Sequence, residues 1–277
     1  MLVSPFGVIP SRGRAKDLSA GLGDPRYRCA LLAVDSFRSF DLGQQRDALA
    51  CLESLILLDR AFAEGFSFLA ILYEYKWVYG LGPEADDAAL LDRALHLAQR
   101  GIELMPNNAR AWQALAGILI ERRDFEPGLD AFRTAMALNP LDPVIVDGYG
   151  GRLITLGEIE RGMAVLQQSK CPSDKRPSWH HFYLFLSNYI LGKLPEATHE
   201  ADTMTSNSYP HGLFARALTA ALKGDNDKAQ STWAALVALR SAWHDNPRAE
   251  LERFIFAPAI VDRLISDLAR TGLYTPK

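Results

Sequence analysis

Apolar residues recur at helical spacing along most of this chain, most sharply from Ala109 to Pro140, ARAWQALAGILIERRDFEPGLDAFRTAMALNP. Trp112, Leu115, Ala116 and Leu119 make one apolar face, Gly128, Phe132 and Ala135 a second, and Pro140 closes the stretch. Steps of three and four residues put each set on one side of a helix. The stretch therefore predicts two short amphipathic helices joined at Arg123–Asp124.

The same alternation extends in both directions. Asp24–Pro25 is a helix start, with Asp as N-cap and Pro at the first helical position. It opens a helix to about Phe40, a turn at Asp41–Gly43, and a second helix, Gln44–Asp59, carrying Ala48, Leu52 and Leu55. Phe66, Leu69, Ala70 and Tyr73 begin the next pair, which closes on Ala94, Ala98, Gly101 and Pro106. YGLGPEADD lengthens this pair and predicts a loop at Gly80–Pro83. After Pro140 come Val146, Tyr149, Gly150 and Leu153, then Gly157 in a turn, then Gly162 and Leu166. Ser169–Pro177 is a polar connection. Trp179, Phe182, Tyr183 and Leu186 restart the pattern, followed by Gly192, Ala197 and Ala201. Leu213, Ala217, Gly224, Ala229, Trp233 and Leu236 make the last pair. From Pro247 the sequence changes to AELERFIFAP and AIVDRLISDLART, one or two terminal helices.

The positions from Trp112 to Pro140, small residues included, resemble the tetratricopeptide repeat (TPR), a unit of about 34 residues pairing two helices. The resemblance implies an all-α fold, a TPR-like αα-solenoid in which antiparallel helix pairs form a right-handed superhelix. Residues 1–23 are a flexible lead-in, residues 24–246 about six pairs, and residues 247–277 C-terminal capping helices over the last pair's open face. In such a solenoid the first helix of each pair lines a concave groove. On this register the groove residues are Glu74, Arg110, Gln113, Glu121, Asp147, His180 and Asn188.

Composition narrows the function. The chain has 277 residues, 48% of them hydrophobic, and a formal net charge of −3. That balance lacks the basic footprint of a nucleic-acid binder, so no direct nucleic-acid contact is expected. No apolar run approaches the ~20 residues needed to cross a bilayer, and the N-terminal charges Arg12, Arg14 and Lys16 follow the apolar residues where a signal peptide has them first. These features predict a cytoplasmic chain with no membrane insertion. Cys29 and Cys51 fall on antiparallel helices. Counting outward from the Asp41–Gly43 turn sets Cys51 opposite Leu32, one helical turn from Cys29, ~4–5 Å along the axis. Two reduced thiols are expected in a cytosolic chain, where disulfides are rare; export would reverse that expectation.

No enzyme chemistry converges in the sequence. Gly148, Gly150 and Gly151 lack the strand and the Lys-Ser or Lys-Thr of a phosphate loop, and Gly150 falls where helix packing needs a small residue. His180 and His181 are adjacent, so a helix points them apart, and zinc needs three or four converging ligands. No metal or cofactor is expected, and no G-x-S-x-G nucleophile turn occurs. Cys171 is an ordinary loop cysteine.

Beyond the generic repeat, YRCALLAVDSFRSF with CLESLILLDRAFAEGFSFLAILY, AMALNPLDPVIVDGYGGRLITLGEIERGMAVL, and VDRLISDLARTGL resemble the C-terminal TPR halves of bacterial winged-helix or adenylate-cyclase-type regulators. That resemblance implies a non-enzymatic scaffold that binds a protein or peptide in its groove, in signalling or transcription regulation; the alternative is a sensor of a small ligand such as a sugar or metabolite in the same groove. It also implies a periplasmic location if the chain is part of a membrane-anchored regulator. The chaperone-tail clamp of many TPR proteins is absent, with Gln113, Gly117, Gly148 and Pro177 at its positions. If the groove residues are solvent-facing, replacing Arg110 and Asp147 with alanine should weaken binding and barely change stability. Trp112→Ala should cost ~3–5 kcal/mol through lost core volume.

Overall fold

A computed structural model of the protein describes residues 24–80, 89–169 and 176–275. The expected lead-in, Cys171, most of the Ser169–Pro177 connection and all but Gly80 of the Gly80–Pro83 loop lie outside them. Every regular element among the described residues is a helix. Six adjacent pairs succeed one another: α1 (Pro25–Ser39) with α2 (Leu42–Leu58), α3 (Ala63–Val78) with α4 (Ala89–Leu104), α5 (Ala109–Glu121) with α6 (Phe125–Leu138), α7 (Pro143–Thr155) with α8 (Ile159–Leu166), α9 (Ser178–Ile190) with α10 (Leu194–Thr203), and α11 (Pro210–Leu222) with α12 (Asn226–Leu239). Three more helices follow: α13 (Ala242–Asp245), α14 (Pro247–Glu252) and α15 (Pro258–Arg270).

The chain divides into two compact units. The first holds Met1–Val146 and Ser169–Lys175, the second Asp147–Gln168 and Arg176–Lys277. In the first, side-chain caps set the helix starts. Asp24 accepts from the Arg26 amide, Asp41 from Gln44 and Asn108 from Arg110, each satisfying an amide that has no partner within its helix. Cys29, Ala33, Ala48, Leu52, Phe62, Leu69 and Leu72 form one buried cluster. Ala70, Ile71, Ala94, Ala98, Ala114 and Ile118 form the next. At Gly128 a Cβ would come within 3.0 Å of the Ala116 carbonyl oxygen, so α5 and α6 touch backbone to backbone. The second unit repeats the device. A Cβ at Gly162 would lie 2.6 Å from the Gly150 carbonyl oxygen. Packing therefore accounts for Gly150.

Cys29 and Cys51 are joined in a disulfide with Cα atoms 5.5 Å apart, which corrects the expectation of two reduced thiols. The connection is tighter than the sequence pattern implies. α1 ends at Ser39 and α2 begins at Leu42, so counting outward from the middle of that turn sets Cys51 opposite Ala30. Cys29 is then its neighbour, within bridging distance.

Trp112 is also corrected. It is only half-buried, its Nε1–H donating to the Pro106 carbonyl at 2.8 Å, so Trp112→Ala removes less core volume than a buried tryptophan would. Trp179 and Trp233 are buried as expected, and Trp243 more completely still.

The C-terminal region departs from a simple end cap. After α14 the chain leaves the helical path and runs back to the first helices of the second unit. The Phe256 and Ala257 amides both donate to the Thr155 carbonyl at the end of α7, at 2.8 and 3.1 Å. From α15, the Arg263 guanidinium donates to the carbonyls of Ile190 and Tyr189 at the end of α9, at 2.7 and 3.0 Å. The Tyr189 hydroxyl donates to Asp267 at 2.6 Å. The last carbonyls of a helix have no partner within it, and a cation is favoured at that pole. This C-terminal arm thus closes off the ends of α7 and α9.

Candidate functional site

All seven expected groove residues stand on first helices: Glu74 on α3, Arg110, Gln113 and Glu121 on α5, Asp147 on α7, and His180 and Asn188 on α9. Their exposure differs from the expectation. Arg110, Gln113 and Asn188 are half-buried. Glu74, Glu121, Asp147 and His180 are 5%, 3%, 1% and 1% exposed. They are polar groups set into the inner packing, not side chains free in solvent.

In the first unit, Gln113, Gly117 and Glu121 recur every fourth residue along one face of α5. The Glu74 carboxylate lies against Gly117, where a Cβ would come within 2.3 Å of its Oε1; only glycine admits that approach. Arg110 bridges Gln113 and Asp142, reaching the Asp142 carboxylate at 2.7 Å. The Asp142 side chain is 5% exposed.

In the second unit, Asp147 Oδ2 lies 2.9 Å from His180 Nδ1. The pair is within ion-pair reach but is not aligned as a hydrogen bond, and neither His180 Nδ1 nor Asp147 Oδ1 finds a hydrogen-bond partner. His181 turns the other way and meets Glu200 at 2.7 Å. This burial overturns the expectation that Arg110 and Asp147 can be lost at little cost. Truncating Asp147 removes the buried partner of His180, and truncating Arg110 removes the guanidinium that meets the buried Asp142 carboxylate, each a loss of about 1–3 kcal/mol. Asp147→Ala and Arg110→Ala are each expected to lose that much in urea unfolding, and a loss below a few tenths would contradict the burial.

His211 is a site residue that the repeat register does not mark: it is the second residue of α11, ahead of Leu213, the first apolar position of that pair. The structure buries it on α11. Its ring stacks on Phe254 with centroids 4.1 Å apart and lies 5.1 Å from Phe182. Burial, with the positive charges of Arg253 and Arg152 adding to it, pushes the imidazole down to about 3. The folded chain therefore keeps His211 neutral where the unfolded chain would protonate it, near pH 6.5. The unfolded state binds more protons in that window, so stability is present in full above about pH 6.5 and is lost as pH falls towards 3. From pH 7 to pH 5 this one group accounts for about 2 kcal/mol. His211→Phe should flatten the pH dependence of urea unfolding by that amount; identical slopes would contradict it.

Known structures share this architecture. The Cut9–Hcn1 hetero-tetramer of the APC/C aligns with a TM-score of 0.60 at 15% identity, over 88% of this chain and 46% of that one. PilW, a widely conserved type IV pilus biogenesis factor, aligns with a TM-score of 0.51 at 15% identity, over 77% of this chain and 94% of that one. The fold is TPR-like. Identity this low shows the fold alone. No protein-family model matches the sequence, and no curated protein matches it significantly. Within the TPR-like frame, Asp147, His180 and His211 are the inner polar places of three successive first helices. Phe254 of the arm joins His211 there, and no helical period marks that stretch.

Proposed function

We propose that this chain is a non-enzymatic scaffold whose first-helix faces bind an extended segment of a protein partner. The observation that carries this reading is that first helices in both units set polar groups into their inner packing, Glu74 and Glu121 in one and Asp147 and His180 in the other. In each unit the first helices line their inner face with polar groups, where a purely structural solenoid has no need of them. Arg110, Gln113 and Asn188 keep partial exposure there and are the contacts we assign to the partner. The resemblance to the TPR halves of bacterial regulators supports a role in signalling or transcription control. The Cys29–Cys51 bridge supports an oxidising compartment, since such bridges are rare in the cytosol; we propose the periplasm.

The experiment is a binding isotherm with a partner recovered from the native organism. Gln113→Ala and Asn188→Ala should each weaken binding and leave the melt unchanged. Arg133→Ala, on the exposed side of α6, should change neither binding nor the melt. Binding lost only with Arg133 would place the partner on the second helices.

A further inference from the structure

The arm of the second unit is a peptide laid on a first-helix face. Arg253–Ala257 is non-helical and is bracketed by the prolines that open α14 and α15. Its three apolar side chains are nonetheless buried: Phe254, Ile255 and Phe256 are 2%, 1% and 8% exposed. Phe254 enters an aromatic socket formed by the His211 ring, stacked on it, and Phe182, 5.2 Å away. The Phe256 and Ala257 amides both donate to a single acceptor, the Thr155 carbonyl. Ala257 lies against the turn at Gly157, where the glycine sits at φ +94° and a Cβ on it would stand 3.1 Å from the Ala257 Cβ. Socket, buried side chains and backbone acceptor together specify a sequence: aromatic, aliphatic, aromatic.

Those are the means by which a groove recognises an extended ligand, with main-chain hydrogen bonds holding it and side-chain sockets selecting it. We infer that the face formed by Thr155, Phe182 and His211 is a peptide-binding site held shut by the chain's own Phe254–Ala257, and that its partner carries the same aromatic–aliphatic–aromatic pattern in extended form. This inference rests on the reading of the first-helix faces as binding surfaces and names the ligand of one of them. The arm acts as a tethered competitor. Its local concentration is on the order of millimolar, so the partner engages only when it outcompetes the arm or when the arm is drawn away. A neutral His211 suits this, since an uncharged ring stacks on Phe254 without a buried positive charge.

The test uses the full chain and a labelled peptide, ERFIFAP, followed by fluorescence anisotropy. The F254A/F256A chain, its socket emptied, should bind the peptide at least about tenfold more tightly than the unaltered chain, because the tethered competitor is gone. A peptide with both phenylalanines replaced by alanine should not bind. A folded double variant that binds no peptide, or binds it no better than the unaltered chain does, would overturn the inference. Should the double variant fail to fold, hydrogen exchange on the unaltered chain gives the same decision. Excess ERFIFAP should speed exchange at the Phe256 and Ala257 amides, and unchanged protection would overturn it. Panning a random peptide library on the unaltered chain separates this inference from the scaffold reading. Binders that depend on Gln113 or Asn188 but lack the pattern would overturn the arm's role and leave the scaffold standing. A library that yields no binder to either chain would count against both.

Discussion

Replacing Phe182 with alanine is expected to lower the unfolding free energy of the second unit by about 3–5 kcal/mol, the range for deleting a fully buried aromatic ring. Phe182 has no exposed surface. Its ring lies 5.4 Å from Phe185, 5.1 Å from His211 and 5.2 Å from Phe254. The alanine leaves a cavity among three rings on two helices and the arm, and stiff rings cannot collapse into it. The arm loses one wall of its socket at the same time, so exchange at the Phe256 and Ala257 amides should quicken along with the global loss. Urea unfolding measures the first effect and hydrogen exchange the second. A loss below about 1 kcal/mol would mean that the cluster relaxes in a way such cavities seldom do.

The Cys29–Cys51 bridge carries the other large effect. It closes a loop with a sequence separation of 22, and loop-closure entropy at that length corresponds to about 3 kcal/mol. The C29A/C51A chain should lose that amount, and the native chain should lose a comparable amount in reductant. The loss should concentrate in α1 and α2. The remaining members of their shared cluster, among them Ala33, Ala48 and Leu52, still pack but no longer hold the pair against unfolding. A melt unmoved by reductant would show the bridge to be thermodynamically idle.

The pairing of helices could be read from the sequence because close packing writes itself locally. Gly128 and Ala116 are small where two backbones meet, and the apolar steps on either side fix the faces. The disulfide was not legible at that level. It turns on where the first turn is centred, at Asp41–Gly43 or between Phe40 and Asp41, a shift that moves the opposing residue towards Cys29 by about one helical turn. The burial of Asp147 and His180 was missed for a different reason. A helical period says which face points inward and not whether that face meets solvent or protein. Thr155, Phe182 and His211 in the second unit take contacts from Phe254–Ala257, far along the chain from them. An apolar run of that kind, flanked by prolines, carries no mark of the distant helix ends it will cap. Glu74 is a middle case. Its place on α3 follows from the repeat, but its contact depends on Gly117 being bare, which a residue-by-residue register does not show.

Photo-crosslinking tests most directly the claim that partners bind the first-helix faces. A photoreactive amino acid is placed in turn at Gln113, Asn188 and Arg133 of the full chain, irradiated in extract of the native organism, and the joined peptides are read by mass spectrometry. Adducts to a defined partner segment from Gln113 or Asn188, and none from Arg133, are the predicted outcome. Adducts from Arg133 with none from either first-helix position would contradict it and assign binding to the second helices.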